Sequence, residues 1–348
     1  MLERIAREIS ESGGWIPFAR YMELALHAPG GYYAGGARKF GAAGDFVTAP
    51  EIGKLFARTL ARQIRDLGAK RILEIGAGSG ALAKVLIAET SCEYWILETS
   101  AELRDRQSRA LGDKVRWIDS LPASFHGVVI ANEVLDAMPV HAVAWRAEGV
   151  MERGVIFKDG KFLWSERPAS GALLAEAGQI QVPVPYETEI GLIGQAWMRE
   201  LARSLQEGVA FIIDYGFPAH EYFHPQRAGG TLMCHHRHQA HADVFLRPGL
   251  EDMTAHVDFS ALARAARGAG LEVLGYANQA QFLVNCGITD VLGEANAGNA
   301  LHYAPLAAEA NKLLSPAEMG ELFKVLAVGR GAKQPLRGFS RADRSHTL

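Results

Sequence analysis

The chain has 348 residues, of which 49% are hydrophobic, and its 36 basic and 39 acidic residues leave a net charge of −3. This length suits about two domains, or one large α/β domain with insertions, and the apolar content is ample for a buried core. The near balance of charge gives no reason to expect a nucleic-acid partner or a membrane surface, and no apolar run approaches the ~18 residues of a membrane span.

The N-terminal residues, Met1 to Glu11, include early acids and lack an apolar core. We therefore expect neither a secretory nor a mitochondrial targeting signal, and we predict a cytoplasmic protein. The cysteines, Cys92, Cys234 and Cys286, are odd in number and sparse, which indicates reduced thiols rather than a disulfide framework.

A helical block is predicted before the first strand. Pro17 suits the first turn of a helix that ends at about Leu26. Thr48 and Glu51 stand at the spacing of a capping box, which predicts a second helix continuing to about Leu67. An ordinary helix start is the alternative interpretation. We expect the loop between the two helices to cover the cofactor or the substrate.

A glycine-rich turn follows the first strand, residues 71–75. Its glycines are Gly76, Gly78 and Gly80, and a helix is predicted from Ala81. Glycine supplies the positive φ values and bare backbone that a tight turn and a close ligand require. The turn predicts a nucleoside cofactor, and because Ala81 completes the pattern G-x-G-x-x-G/A, NAD is compatible as well as S-adenosylmethionine.

Acids at three successive strand ends favour S-adenosylmethionine. Glu74 at the glycine turn would repel a pyrophosphate but attract ammonium and sulfonium cations, although a lone strand-end Glu is often merely solvated. Glu98 ends the next strand, about 20 residues downstream, where it can accept hydrogen bonds from ribose hydroxyls in either cofactor. Asp119 and Ser120 end the third strand, and we expect them to face the adenine edge.

Apolar segments alternating with helices predict an α/β fold with a seven-stranded, Rossmann-like, doubly wound sheet. The predicted strands are residues 71–75, 94–97, 115–118, 128–131, 209–214, 271–275 and 323–328. The long fourth connection predicts an inserted β-hairpin or meander at residues 142–145, 149–157 and 161–164, then a helix from Ile190 to Leu205. We divide the chain into an N-terminal block (1–68), a first half of the core (69–140), an insertion (141–207) and a second half of the core (208–348).

Four segments in this order resemble the MidA-type methyltransferases, a family that includes the mitochondrial complex I assembly methyltransferase and its bacterial relatives. They are residues 44–52, 74–80, 132–140 and 252–259, and the resemblance covers nearly the whole chain. It implies a class I fold dependent on S-adenosylmethionine and, from the eukaryotic member, methylation of arginine in a complex I subunit. Val134, Leu135 and Met138 depart from the family motif Asn-Glu-Phe-Phe-Asp-Ala-Leu-Pro, but these apolar exchanges leave its polar positions standing.

Asn132, Glu133 and Asp136 follow the fourth strand, so we expect them at the same edge of the sheet as the glycine turn. A guanidinium stays protonated and is held best by carboxylates, which orient the attacking nitrogen. We predict that Glu133 is the main clamp and Asp136 the second, while the Asn132 amide contacts the cofactor or the substrate backbone. Alternatively, Asn132 and Asp136 cap a following helix.

His256 and Asp258 form another polar pair, ahead of a helix predicted from Phe259. Asp258 is the expected N-cap. His256 orients a carboxylate, accepts the released proton or is a structural histidine. The run from Cys234 to His241 holds five potential metal ligands, yet a second cysteine-rich half is missing, and we predict no metal. In the resembling family this stretch is a basic Arg-His loop without such a cysteine, which implies substrate or structural contacts.

The sequence therefore predicts an S-adenosylmethionine-dependent protein methyltransferase that produces methylated arginine. Its expected partner is an arginine-containing protein, in a bacterium a subunit of the respiratory NADH dehydrogenase, with no nucleic acid involved. The alternatives are a cofactor-binding assembly factor with little catalysis, a small-molecule methyltransferase and, last, an NAD-dependent oxidoreductase. Glu74, Glu98 and Glu133 together favour catalysis, because a pure binding module needs no acid on the acceptor side.

Overall fold

A computed structural model of the chain describes residues 1–33, 48–237, 239–295, 300–332 and 335–348. In these ranges the strands are β1 (Ile16–Pro17), β2 (Arg71–Ile75), β3 (Glu93–Leu97), β4 (Val115–Ile118), β5 (Phe125–Asn132), β6 (His141–Arg146), β7 (Gly149–Lys158), β8 (Lys161–Pro168), β9 (Tyr186–Ile190), β10 (Leu205–Phe217), β11 (Met233–His236), β12 (Gln239–His241), β13 (Asp252–Thr254), β14 (Val257–Asp258), β15 (Glu272–Asn278) and β16 (Phe323–Arg330).

The helices of the same ranges are α1 (Leu2–Glu11), α2 (Phe18–His27), α3 (Ala49–Ile52), α4 (Leu55–Leu67), α5 (Ala81–Glu89), α6 (Ala101–Leu111), α7 (Gly171–Ala177), α8 (Leu192–Ser204), α9 (Ala219–Tyr222), α10 (Phe259–Gly268), α11 (Gln279–Asn285), α12 (Ile288–Gly293), α13 (Ala300–Leu314) and α14 (Met319–Leu322). None of these helices has the length and hydrophobicity of a transmembrane span. Residues 44–47, which begin the first of the four segments that resemble the MidA-type family, lie outside the described residues.

The central sheet contains all seven predicted strands, which confirms the doubly wound α/β fold. Its order is β15-β16-β10-β5-β2-β3-β4, with β16 antiparallel to both of its neighbours and the pairings among β10, β5, β2, β3 and β4 parallel. A short strand, β14, adds a parallel pairing to the end of β10. The strand order reverses between β2 and β5, and the carboxyl ends of these two strands are where an open α/β sheet binds its ligand.

The strands read as continuous apolar runs because helices cover both faces of the sheet. In β10, for example, Val209, Phe211 and Ile213 point into one core, whereas Ala210 and Ile212 point into the other. The first core is completed by α4, α5, α11, α12 and α13, and the second by α8 and α10. Because side chains alternate across each strand, the sheet has a hydrophobic core on each face, between two layers of helices.

The insertion is larger than the predicted hairpin or meander. Its three predicted strands are present as β6, β7 and β8, but β9 pairs with β6, and β1 from the N-terminal block pairs with β7. The following helix, α8, begins at Leu192 rather than at Ile190, which is the last residue of β9. The N-terminal block and the insertion therefore share one antiparallel sheet.

The predicted capping box at Thr48 and Glu51 is wrong. Thr48 does precede a helix, but its side chain makes no capping hydrogen bond, and this helix stops at Ile52 before α4 begins at Leu55. The Glu51 carboxylate instead accepts a hydrogen bond from the Ser79 hydroxyl in the glycine turn. Glu51, which the local pattern assigned to the helix start, therefore makes a tertiary contact with Ser79 instead.

A third, small sheet has the order β12-β11-β13 and packs beside the N-terminal helices. Its residues Cys234 and Met253 share a hydrophobic cluster with Phe18 and Tyr21 of α2 and with Val155 of β7. The Tyr21 hydroxyl also donates a hydrogen bond to the Val244 carbonyl, at 2.8 Å. The N-terminal block, the inserted sheet and the small sheet are thus joined by one core.

Candidate active site

A cavity of about 510 Å³ lies at the carboxyl ends of β2, β3 and β5. This volume is in the usual range for a cofactor or substrate site. The predicted site residues on its wall are Glu74, Gly76, Gly78, Glu98, Asn132, Glu133, Asp136 and His256. Residues chosen separately from four stretches of sequence therefore meet in one place.

The glycine turn has the backbone that was predicted for it. Gly76, Gly78 and Gly80 have φ values of 67°, 54° and 83°, in the region that favours glycine. Gly76 and Gly78 lie on the cavity wall, and a Cβ on Gly76 would come within 3.2 Å of the Val134 side chain. Gly80 does not line the cavity; it is the N-cap of α5, so it shapes the turn instead of contacting a ligand.

Glu74 is buried, and its carboxylate accepts a hydrogen bond from the Tyr94 hydroxyl at 2.7 Å. Burial raises the pKa of Glu74 to about 7, the nearby Glu98 adds to this effect, and the bond from Tyr94 opposes it. A cation in the cavity favours the ionised carboxylate. We therefore expect Glu74 to be fully ionised, as its role predicted from sequence requires, when a cation occupies the cavity.

Glu98 and Gln107 connect the ends of β2 and β3. The Glu98 carboxylate accepts hydrogen bonds from the Ser100 backbone N–H at 2.9 Å and from the Gln107 side chain at 3.0 Å. The same Gln107 amide donates to the Gly78 carbonyl at 3.0 Å. Gln107 was not predicted from sequence. Its role follows from its complete burial on the inner face of α6, which only the structure shows.

Asp119 and Ser120 do not line the cavity, and their contact with the adenine edge stays a prediction. Both residues are exposed, and the Asp119 side chain, 84% accessible, forms an ion pair with Arg104 at 2.5 Å. The reason is the strand order, because β4 is the edge strand of the sheet and lies two positions from β2. Two of the three acids at strand ends, Glu74 and Glu98, line the cavity.

The segment after β5 holds Glu133 in a left-handed conformation, with φ of 53°. Such a conformation costs a non-glycine residue about 1–3 kcal/mol and is found preferentially at functional sites. The Glu133 carboxylate accepts hydrogen bonds from the Asn132 amide at 3.0 Å and from the Ala49 backbone N–H at 3.4 Å. A turn follows rather than a helix, so the interpretation of Asn132 and Asp136 as helix caps is wrong.

Asp214 holds this segment in place. Its carboxylate, which is fully buried, accepts hydrogen bonds from the backbone N–H groups of Val134, Leu135 and Asp136, at 3.0–3.3 Å. Sequence reasoning missed this role. The signal was available, because Asp214 follows the apolar run of the fifth predicted strand just as Glu98 follows that of the second.

The two predicted acceptor-side acids have raised pKa values. Desolvation, with repulsion from Asp136, raises the pKa of Glu133 to about 8. Burial raises the pKa of Asp136 to about 6, although the Tyr215 hydroxyl stabilises its charge by a 2.5 Å hydrogen bond. The second Asp136 oxygen and the Asn132 amide oxygen are buried without a hydrogen-bond partner in the described part of the chain. These unsatisfied atoms point to a polar ligand.

His256 lies on the cavity wall with its ring against Tyr215 and Phe217, both at 5.2 Å between centroids. Burial and the positive charges of Arg227 and Lys324 lower the pKa of His256 to about 4. The ring is therefore neutral near pH 7 and a weak base. The predicted N-cap is confirmed, since Asp258 accepts a hydrogen bond from the Ala261 backbone N–H at 3.1 Å.

The cavity also contains acids that sequence reasoning did not assign to it. Glu51 from α3 and Asp252 from β13 line the wall, and Asp252 accepts a 2.9 Å hydrogen bond from the Tyr33 hydroxyl. With these two, six carboxyl groups face the cavity: Glu51, Glu74, Glu98, Glu133, Asp136 and Asp252. Among the described residues that line it, none is Lys or Arg. Such a wall repels a pyrophosphate and attracts cations, which disfavours NAD.

Comparison with known proteins decides the family. Residues 55–277 match a family model described as "Putative S-adenosyl-L-methionine-dependent methyltransferase". The chain belongs to this family. It is 50% identical to a "likely methyl transferase" from Burkholderia thailandensis, whose crystal structure is bound to S-adenosyl-homocysteine; the match covers 100% of this chain and 96% of that one, with a TM-score of 0.95.

More distant relatives have curated names. The chain is 29% identical to a zebrafish protein, Danio rerio "Protein arginine methyltransferase NDUFAF7, mitochondrial", over 94% of this chain and 86% of the relative. The Drosophila melanogaster homologue of that protein is 28% identical over the same shares. The resemblance to MidA-type methyltransferases is thus confirmed, and the protein is an S-adenosylmethionine-dependent methyltransferase.

The residues on the cavity wall fit this cofactor. Gly76 and Gly78 leave room for a ligand against the backbone, Glu98 offers acceptors for ribose hydroxyls, and Glu74 offers a carboxylate to a cation. The unpartnered Asn132 amide oxygen adds a further acceptor. When bound, S-adenosylmethionine supplies a methyl group on a sulfonium, which a nucleophile can accept. Of the four remaining acids, Glu133 and Asp136 follow β5, whereas Glu51 comes from α3 and Asp252 from β13.

Proposed function

We propose that this methyltransferase modifies arginine side chains of a protein, with a respiratory complex I subunit as the candidate substrate. The observation that carries the proposal is the composition of the cavity wall, which has six carboxyl groups and, among the described lining residues, no Lys or Arg. A guanidinium remains protonated at neutral pH, so an acidic wall attracts it and a carboxylate can hold it in bidentate geometry.

The named relatives support arginine as the acceptor. The zebrafish and fly proteins are called protein arginine methyltransferases, and they match 94% of this chain. The complex I subunit is suggested by the family resemblance of the four sequence motifs.

Glu133 is the proposed principal clamp. Its left-handed backbone and the bonds from Asn132 and Ala49 hold the carboxylate beside the glycine turn. Its pKa of about 8 means that the carboxyl is largely protonated at neutral pH when no cation is present. A guanidinium lowers that pKa, so acceptor binding ionises Glu133 and completes the ion pair.

Asp136 is the proposed second clamp and the first acceptor of the proton that the methylated nitrogen releases. Its pKa of about 6 is closer to neutrality than that of His256, at about 4, so Asp136 is the better matched base. Tyr215 fixes one Asp136 oxygen by its 2.5 Å hydrogen bond and leaves the other for the substrate. His256, which packs edge-on against Tyr215, is then a positioning residue.

The test is transfer of a labelled methyl group from S-adenosylmethionine into a lysate of a strain that lacks this protein, followed by mass spectrometry. We expect the label on an arginine of a protein. Glu133→Gln should lower the rate at least ~100-fold, as loss of a charge-stabilising group does, while S-adenosylhomocysteine affinity measured by calorimetry stays within about threefold.

Glu309→Gln is the matched control, because Glu309 is also a buried glutamate with a raised pKa but does not line the cavity. It should keep its activity. If the label is found on lysine or on a small molecule, the acceptor is not arginine and this part of the proposal is wrong. Cofactor binding without any transfer would favour an assembly factor, and full activity of Glu133→Gln would remove Glu133 from its proposed role.

A further inference from the structure

We propose that Cys234, His241 and Glu251 form a zinc-binding site on the face of the small sheet that points away from the active-site cavity. One potential ligand atom of each residue lies within 4.8 Å of the other two. This set differs from the one considered in sequence, where ligands were sought within a single run of eight residues. The third ligand comes from a separate segment, ten residues beyond His241.

The strand register places the three side chains on one face. Cys234 in β11 lies directly opposite His241 in β12, and on its other side it lies opposite Met253 in β13. Glu251 directly precedes β13, and its carboxylate lies within 4.8 Å of the Cys234 and His241 ligand atoms, which puts it on the same face. A sulfur, a nitrogen and a carboxylate oxygen thus come together from three successive segments of the sheet.

Cys234 and Glu251 are buried and His241 is half-buried, and their polar atoms are incompletely satisfied. Cys234 is fully buried, Glu251 is 2% exposed, and the His241 Nε2 atom lies 3.1 Å from one Glu251 oxygen. The other Glu251 oxygen and His241 Nδ1 are buried with no hydrogen-bond partner among the described residues. A buried polar atom without a partner is destabilising, so the arrangement favours a ligand that satisfies both atoms.

The donor set matches Zn²⁺ better than the other common cations. Zinc accepts thiolate, imidazole and carboxylate in a tetrahedral site, whereas Mg²⁺ and Ca²⁺ take oxygen ligands. Burial raises the pKa of the Cys234 thiol, and coordination would displace its proton. Arg247, whose guanidinium is 3.8 Å from Glu251, is 44% exposed and can turn toward solvent when the ion neutralises the carboxylate.

Such a site would brace the wall of the active-site cavity. Met233 and His235 in β11, Ala240 in β12, and Asp252 and Thr254 in β13 alternate with the proposed ligand positions and line the cavity from the opposite face. Zinc would hold the three segments in register and so fix Asp252, which presents a carboxylate to the acceptor side. The proposed role is structural and does not depend on which acceptor is methylated.

The experiment measures metal in the protein as purified without added metal, by inductively coupled plasma mass spectrometry. We expect about one zinc per chain, and in cobalt-loaded protein a thiolate-to-cobalt charge-transfer band in the near ultraviolet. Cys234→Ser and His241→Ala should lose the zinc and the band. Cys92→Ser is the matched control, because Cys92 lies outside the cluster with its sulfur 3.1 Å from the Ala69 carbonyl, and it should retain both.

Binding of S-adenosylhomocysteine shows whether each variant is folded, because the glycine turn follows a strand of the central sheet and not of the small sheet. Wild-type protein without zinc that also develops no charge-transfer band with cobalt overturns the proposal. Retention of zinc by a folded His241→Ala or Cys234→Ser variant does the same. A chelator should lower the melting temperature of the wild type and of Cys92→Ser but leave that of His241→Ala unchanged.

Discussion

Glu74 and Glu133 share the cavity wall, and desolvation raises the pKa values of their carboxyls to about 7 and about 8. Each carboxyl can therefore change its ionisation when a cation arrives. Glu74 faces the turn where the cofactor binds, and Glu133 extends from the neighbouring loop. At the scale of single residues, binding of either cationic ligand is expected to release a proton.

Cofactor affinity should consequently depend on pH through Glu74. Below a pKa of about 7 the carboxyl carries a proton that must leave before it can pair with a cation, so affinity should fall by up to ~10-fold per pH unit between pH 7 and 5.5. Calorimetry with S-adenosylhomocysteine over this range measures the slope.

The control for this prediction is Glu133→Gln, which leaves Glu74 in place and should keep the slope. Glu74→Gln should flatten the profile. An unchanged slope in Glu74→Gln would assign the pH dependence to another group.

At the scale of elements, most of the fold followed from local pattern. The seven core strands were predicted within a few residues, because each is an apolar run buried on both faces by helices. The capping box at Thr48 was wrong, because the Glu51 carboxylate accepts a hydrogen bond from Ser79 and not from the start of its own helix. The exposed position of Asp119 at the end of an edge strand was also not predicted, because the place of β4 in the sheet depends on strand order and not on the residue pattern within the strand.

The glycine turn offers a prediction in which backbone strain and ligand contact can be separated. Gly78 and Gly68 both have positive φ, at 54° and 62°, but only Gly78 lines the cavity. Alanine at either position should cost about 1 kcal/mol of unfolding free energy.

Only Gly78→Ala should also lose cofactor affinity, by at least ~10-fold, since Gly78 lies on the cavity wall and glycine lets a ligand approach the backbone closely. Urea denaturation and calorimetry of the two variants measure both quantities. Equal affinities in Gly78→Ala and Gly68→Ala would show that the turn does not contact the cofactor.

At the scale of the whole molecule, the protein combines a methyltransferase sheet with a second body built from the N-terminal block, the inserted sheet and the small sheet. Their shared core includes Phe18, whose ring lies 4.9 Å from that of Trp164 in β8. The small sheet supplies Asp252 to the cavity, while the central sheet supplies Glu74 and Glu133. The cofactor side and part of the acceptor side therefore belong to different cores.

Phe18→Ala tests this division. Loss of a fully buried aromatic ring should lower the unfolding free energy by about 3–5 kcal/mol. Cofactor affinity of the folded variant should change by less than about threefold, because Phe18 packs in a core separate from that beneath the glycine turn.

Leu163→Ala is the control, because Leu163 neighbours Trp164 in β8 but is 43% exposed, and it should stay within about 0.5 kcal/mol of the wild type. Urea unfolding and calorimetry provide the measurements. A large loss of cofactor affinity in Phe18→Ala would show that the two cores act as one unit.

The amino-acid sequence by itself determined the apolar strands, the glycine turn and the acids at the ends of β2 and β3, because strand periodicity and backbone requirements act over a few neighbouring residues. It also determined the family through four motifs. Only the tertiary structure decided which polar groups meet. Asp214 beneath the Glu133 loop, Asp252 across the cavity and Glu251 beside Cys234 come from distant segments, and their contacts depend on strand order, register and shared burial, which no local pattern encodes.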